Sequence, residues 1–222
     1  MSVWSSSAAE FEAFQNKCYD IIEDIGQYYV DKIRAQGGKN DKRFLLMPGY
    51  DTSMTYTADK RYQMPKDPMN SDIKKLLVSV HYYGPPAYSI LSEDAGWANV
   101  TNSWGTAQEV KEQNTDFAQM QRFTNEGYGV IVGEYAVAML KQSDGTYVRK
   151  NDDIKWMTNV LDNCDKYNYC PLIWECNDYF KRGWKRVNSV DVKCELGFVD
   201  SDVAELFKNR SYAVEKAALT NE

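Results

Sequence analysis

Four short apolar runs, each leading into a cluster of chemically active side chains, constrain this chain most. They are Phe44-Leu45-Leu46-Met47, Leu76-Leu77-Val78-Ser79-Val80, Val130-Ile131-Val132-Gly133 and Cys170-Pro171-Leu172-Ile173-Trp174. Runs this short suit buried strands better than helices. The pair Pro48-Gly49 ends the first run, and residues 51–72 and 83–106 read as long loops after the first two.

Helical spacing fills the other intervals. Across residues 11–35, Phe11, Phe14, Cys18, Ile21, Ile22, Ile25, Tyr28 and Ile33 fall on one face, and Gly37-Gly38 stops the helix. Residues 107–126 carry Val110, Phe117, Met120 and Phe123, closed by Gly127 and Gly129. Residues 152–168 carry Ile154, Met157, Val160, Leu161 and Cys164, and Val203, Leu206 and Phe207 predict a last helix before a polar tail. Apolar strands alternating with helices imply a parallel sheet covered on its outside. No linker divides the four units, so residues 1–222 read as a single domain, with two small ones as the limit.

In such folds the loops at the C-terminal ends of the strands carry function. Here the first strand ends in Tyr50, the second in His81-Tyr82-Tyr83, the third in Glu134-Tyr135 and the fourth in Trp174-Glu175. Carboxylates, a histidine and aromatics converging on one mouth are what glycoside cleavage needs. One carboxylate attacks or shields the anomeric carbon, a second carboxyl group protonates the leaving oxygen, and an aromatic holds the ring. Any one of them alone is an ordinary strand-end residue; the weight lies in the four together.

Charge and composition narrow the ligand. The net charge of −6 comes with no block of Lys or Arg, which argues against nucleic acid. Sixteen Tyr and six Trp fit either a tyrosine-rich core or sugar stacking. The five cysteines (Cys18, Cys164, Cys170, Cys176 and Cys194) form no Cys-x-x-Cys pair, and His81 is the only histidine. No metal site and no cofactor are therefore expected. Buried free thiols are the expectation, with one disulfide open if the protein is secreted. No apolar stretch reaches the length of a membrane span, so no membrane partner is expected. The start Met1-Ser2-Val3-Trp4-Ser5 has no signal-peptide pattern.

At this point the sequence resembles glycoside hydrolase family 5, the cellulase family of (β/α)8 barrels, and most closely its endoglucanase and xyloglucanase members. The likeness runs from about Phe11 to about Asp200. The stretch 34–43 followed by Phe44-Leu45-Leu46-Met47-Pro48-Gly49-Tyr50 is similar to the approach to the family's fifth strand. Val78-Ser79-Val80-His81-Tyr82-Tyr83 resembles its sixth-strand His-x-Tyr motif, Val132-Gly133-Glu134-Tyr135 its seventh-strand nucleophile motif, and Ile173-Trp174-Glu175 its eighth-strand tryptophan. The resemblance implies an α/β fold: the C-terminal half of a TIM barrel, four βα units, strands five to eight.

It also implies roles. Glu134 is the expected nucleophile of a retaining mechanism, and Tyr83 the residue that hydrogen-bonds and aims it. His81 is expected to line the catalytic subsite, and Trp174 to stack on the sugar. Trp104 reads equally as a further subsite or as loop packing, with Trp97 a weaker candidate. Tyr50 is expected among the substrate-binding residues. The expected substrate is a β-1,4-glucan polysaccharide or oligosaccharide, with cellulose, lichenan, xyloglucan and mannan left open. The expected location, from the family alone, is extracellular.

The sequence departs from the family in its N-terminal half, whose first four strands have no counterpart here. The family's acid/base glutamate sits in an Asn-Glu-Pro motif after its fourth strand, and this chain contains no Asn-Glu-Pro. A lost general acid lowers rate by about 10²–10⁴. The chain alone is thus expected to be a weak or inactive hydrolase. Alternatives are a non-catalytic β-glucan-binding half-barrel, and a fragment needing an N-terminal half. A homodimer would also close the barrel. Glu175 of one chain would then face Glu134 of the other as proton donor, unless Glu175 is only a solvated strand-end residue.

Overall fold

The computed structural model describes residues 7–175, 179–180, 184–190, 193–198 and 200–219. In chain order the elements are helix α1 (Ala8–Arg34), strand β1 (Leu45–Ser53), helix α2 (Met54–Ala58), strand β2 (Leu76–Tyr82) and helix α3 (Pro86–Ser89). Helices α4 (Ala107–Gln119) and α5 (Gln121–Asn125), strands β3 (Gly129–Tyr135), β4 (Leu140–Lys141) and β5 (Tyr147–Val148), and helix α6 (Asp153–Tyr167) follow. Strands β6 (Tyr169–Ile173), β7 (Trp184–Val190) and β8 (Lys193–Phe198) and helix α7 (Ser201–Leu219) complete the chain.

The described residues fall into two compact units. One draws on Met1–Tyr82, Asn114–Gly133 and Asn163–Leu172, the other on Tyr83–Gln113, Glu134–Asp162 and Ile173–Glu222.

The first unit holds the sheet, in the order β1-β2-β3-β6, with β1 and β2 parallel. All four expected strands are present. Val30 of α1 meets Leu45, Met47 and Leu76 in one core cluster, with Ile33 against it. Phe117 lies between Tyr82 and Tyr169, at ring separations of 4.9 and 6.5 Å. Alternate positions point the other way, and there Leu46 and Leu172 on the two edge strands stay exposed.

Helix α1 starts earlier than its apolar spacing predicts. Ser7 Oγ accepts from the Glu10 amide at 3.3 Å, and the Glu10 carboxylate accepts from the Ser7 amide at 2.8 Å. This reciprocal cap satisfies two orphan donors. At the other end Arg34 and Asp67 form a buried ion pair at 2.8 Å.

Strand β1 corrects the expectation that Pro48-Gly49 ends the first run. It continues to Ser53. A proline is tolerated because β1 is an edge strand, where a missing N–H breaks no ladder. Beyond Pro48↔Ser79 the next aligned pair is Ser53↔His81. The extra residues bulge out, with Asp51 and Thr52 at φ 52° and 50°. Gly49 is required there: a Cβ would sit 2.2 Å from Thr57 Oγ1.

Other boundaries also shift. The stretch expected as one helix over 107–126 is two, meeting at Met120. Phe117, Met120 and Phe123 are buried as their spacing predicts. The loop 51–72 holds α2 and a short 3-10 turn at Pro68–Asn70, and the loop 83–106 holds α3. The final helix extends to Leu219 where a polar tail was expected.

The second unit contains two antiparallel hairpins absent from the sequence reading, β4–β5 and β7–β8. The first turns at Asp144-Gly145, with Gly145 at φ 85° and Gln142 N donating to Thr146 O at 2.8 Å. Two-residue strands are too short to show alternation. Trp156 of α6 is fully buried and its indole donates to Gly84 O at 2.8 Å. Arg149 pairs with Asp153 at 2.8 Å and with Asp202 at the start of α7.

Candidate active site

Strand β3 delivers Glu134 near its end, and the residue after β2 is Tyr83. Both belong to the second unit. The Tyr83 hydroxyl donates to Glu134 Oε2 at 3.1 Å. Both side chains are half-buried, open enough to be reached and enclosed enough to be held. A hydrogen bond to a carboxylate stabilises its charged form and fixes its direction. The carboxylate is thus aimed by a neighbour rather than left to rotate.

Trp174 follows β6, and its amide donates to Tyr135 O at 3.0 Å. Its ring packs with Tyr83 and Tyr179 against the buried cluster Ala136, Ala138 and Phe180. Tyr83, Glu134 and Trp174 therefore share one neighbourhood. Glu175 comes next in the chain and is half-exposed. Tyr179 and Phe180, at 5.0 Å ring separation, extend the aromatic row; the sequence reading missed them because no strand or helix pattern covers them.

Trp104 is 4% exposed, and its indole nitrogen is buried without a hydrogen-bond partner. The Lys155 ammonium lies 5.9 Å from the ring centre. Of its two sequence readings, loop packing fits and an open sugar subsite does not, because no broad face reaches solvent. Trp97 is 61% exposed.

His81 and Tyr50 belong to the first unit. A Cβ added at Gly133 would stand 2.8 Å from Ser79 Oγ and 3.5 Å from the His81 ring. The glycine before Glu134 therefore makes room for the imidazole beside the strand. Tyr50 lies inside β1, not at its end. Tyr19 meets its ring edge-on at 4.6 Å and Tyr56 at 5.5 Å. Burial, then the Cys18 thiol beside it, push its phenol up to about 12, so it stays neutral.

Cys18, Cys164 and Cys170 are free thiols, and only Cys164 is fully buried. Cys176 and the side chain of Cys194 lie outside the described residues. No helix among the described residues is long and apolar enough to cross a membrane.

Comparison with known proteins follows the same lines. The family model described as Cellulase (glycosyl hydrolase family 5) matches residues 4–180. Endoglucanase A of Paenibacillus barcinonensis is 27% identical over 173 residues, 71% of this chain and 42% of that protein. A xyloglucan-specific endo-β-1,4-glucanase of Bacteroides ovatus is 27% identical over 172 residues, 71% of this chain and 32% of that protein. Among solved structures, a broad-specificity endoglucanase from an uncultured bovine rumen ciliate superposes with a TM-score of 0.62. It is 26% identical, over 72% of this chain and 47% of that one. The chain spans less than half the length of these relatives.

Proposed function

The chain belongs to the cellulase family, glycosyl hydrolase family 5, and we propose that it carries the nucleophile half of a retaining β-1,4-glucan hydrolase site. The supporting observation is the Tyr83–Glu134 hydrogen bond at 3.1 Å. In this reading Glu134 attacks the anomeric carbon, the glycosidic C–O bond breaks, and a glycosyl ester forms on the carboxylate. Water then hydrolyses that ester. Tyr83 holds the carboxylate on line. Trp174 supplies a face for the sugar ring.

The leaving oxygen needs a proton. No Asn-Glu-Pro carries a proton donor here. We read residues 1–222 as one half-barrel domain whose acid/base arrives from elsewhere. The sheet has two edges, β1 and β6, and parallel edges call for partners. Either an N-terminal half or a second copy would close the barrel. In the second case Glu175 of the partner copy would stand about 5–5.5 Å from Glu134, as a retaining pair requires. Since its relatives act on β-glucans, an extracellular glucan is the proposed substrate.

A substrate that needs no proton donor tests the nucleophile directly. We expect a 2-deoxy-2-fluoro-cellobioside with a dinitrophenolate leaving group to leave a covalent mass increment on the peptide holding Glu134. The increment should vanish in Glu134→Gln. Cello-oligosaccharide binding without any adduct would favour a glucan-binding module instead. Neither adduct nor binding in the folded chain would overturn both readings.

A further inference from the structure

Lys150 is a buried lysine that no step of the proposed reaction uses. It is 3% exposed. Its ammonium donates to Tyr88 O and to Leu91 O, both at 2.5 Å, and lies 5.4 Å from the Tyr88 ring centre. Among the described residues no carboxylate forms an ion pair with it. A buried charge without a counter-charge is costly. Burial alone pushes the ammonium down to about 8, while the two carbonyls favour the charged form. A methionine of similar length would avoid the expense, so the position calls for a reason.

The two acceptor carbonyls lie at the end of α3, and α3 leads back to Tyr83. Ser89, fully buried, donates through its hydroxyl to Tyr83 O at 2.5 Å and to Pro85 O at 3.2 Å. Ser89 O accepts from the Ala138 amide at 2.8 Å, four residues after Glu134. The Tyr88 hydroxyl donates to Asn151 O, next to Lys150 itself. One bonded circuit therefore runs from Lys150 through Tyr88 and Leu91 to α3, through Ser89 to the Tyr83 backbone, and through the Tyr83 hydroxyl to Glu134. Every member lies in the second unit.

We propose that Lys150 is a positioning residue: its ammonium locks the short helix 86–89, and through Ser89 that lock sets the Tyr83 hydroxyl against Glu134. Without the ammonium two buried carbonyls lose their donor. Such groups seek water or new partners, and α3 is free to shift. Because Ser89 bonds the Tyr83 carbonyl directly, a shift of α3 would carry the Tyr83 hydroxyl out of register with Glu134. The inference rests on the proposed role of Glu134 only for what the alignment is for; the alignment itself can be read without turnover.

The test labels the chain with 3-fluorotyrosine and assigns the Tyr83 fluorine signal by its loss in Tyr83→Phe. In the native chain, Glu134→Gln should move that signal. In Lys150→Met the same change should leave it within a third or less of the native displacement, while the other tyrosine signals keep their dispersion. Lys150→Arg, which keeps a charge and two donors, should restore most of it. An undiminished displacement in Lys150→Met would overturn the proposal. Should Lys150→Met not fold, Ser89→Ala decides: a diminished displacement supports the circuit, and an undiminished one overturns it. Adduct formation on Glu134 should fall tenfold or more in parallel. If the native chain gives the fluorine response but no adduct, the catalytic reading fails and the positioning stands.

Discussion

The Tyr83 hydroxyl meets Glu134 Oε2 at 3.1 Å, although 51 residues separate them. Strand β3, which carries Glu134, and strand β2, which Tyr83 directly follows, are neighbours in the sheet. Loss of a hydrogen bond to a charged group costs about 1.5–3 kcal/mol, which is roughly 10–100-fold in rate if the bond acts in the transition state. Tyr83→Phe should therefore slow adduct formation on Glu134 by that factor in a chain that still folds. A rate equal to the native one would show that Tyr83 does not aim the carboxylate.

Gly133→Ala tests why a glycine precedes Glu134. The new methyl would lie 2.8 Å from Ser79 Oγ and 3.5 Å from the His81 ring. Overpacking of this kind costs about 1–3 kcal/mol. We expect a matching fall in stability by urea titration. His81 is the only histidine, so its imidazole NMR signals are unambiguous and should move as the ring is displaced. Unmoved signals with native stability would mean that the strand yields freely there.

How legible these features were depended on what defines them. The Gly133-Glu134 and His81-Tyr82-Tyr83 sites were visible because apolar runs place them, and the runs became β3 and β2. Helix α1 was visible in its apolar spacing, but its start lies in the Ser7/Glu10 cap, a four-residue polar pattern that spacing ignores. Tyr50 was misplaced as a strand end because Pro48-Gly49 looks like a stop; an edge position lets the strand continue. Trp104 could be read two ways because burial is a property of what surrounds it. Lys150 gave no sign at all. Its partners are backbone carbonyls about sixty residues away, and any residue type offers a carbonyl.

The Lys150 ammonium also predicts how stability follows pH. Its folded value is lowered to about 8, against an ordinary 10.5 when unfolded. Below pH 8 both states hold the proton, so the burial penalty is present in full. Between pH 8 and 10.5 the unfolded chain binds more protons, so stability rises with pH. The full shift corresponds to about 3 kcal/mol as a ceiling, because the two carbonyl acceptors offset part of it. The stability of the native chain relative to Lys150→Met should thus increase across pH 8–10.5, by denaturant titration at each pH. A flat difference across that window would place the folded value near the unfolded one.

The cap of α4 offers a smaller, local effect. Thr106 Oγ1 accepts from the Glu109 amide at 3.3 Å, and Glu109 accepts from the amides of Thr106 and Gly105 at 2.9 and 3.0 Å. Burial would raise the Glu109 carboxyl, but these bonds outweigh it and hold it below its ordinary value. Its contribution is therefore present at neutral pH and fades as the carboxyl is protonated in acid. Thr106→Ala should cost about 1 kcal/mol at pH 7 and less in acid. An equal loss at both pH values would assign the effect to packing instead.

The proposed closure of the barrel makes a prediction at the sheet edges. Leu46 on β1 and Leu172 on β6 are 47% and 50% exposed, both on edge strands. Leu46 also borders an apolar cleft of about 470 Å³ with Ile22, Ile25, Tyr29, Pro48 and Tyr62. Large apolar groups on a paired-strand edge are what a neighbouring half would cover. Changing both leucines to lysine should weaken association with a second copy, or with a separate N-terminal half, at least tenfold by sedimentation. Surface changes of this kind alter stability by about 0.5 kcal/mol or less, so the isolated chain should melt as before. Association that persists undiminished in the double variant would mean that the halves meet elsewhere. Glu175 of a second copy would then have no reason to lie near Glu134, and the proton donor would have to come from a different surface.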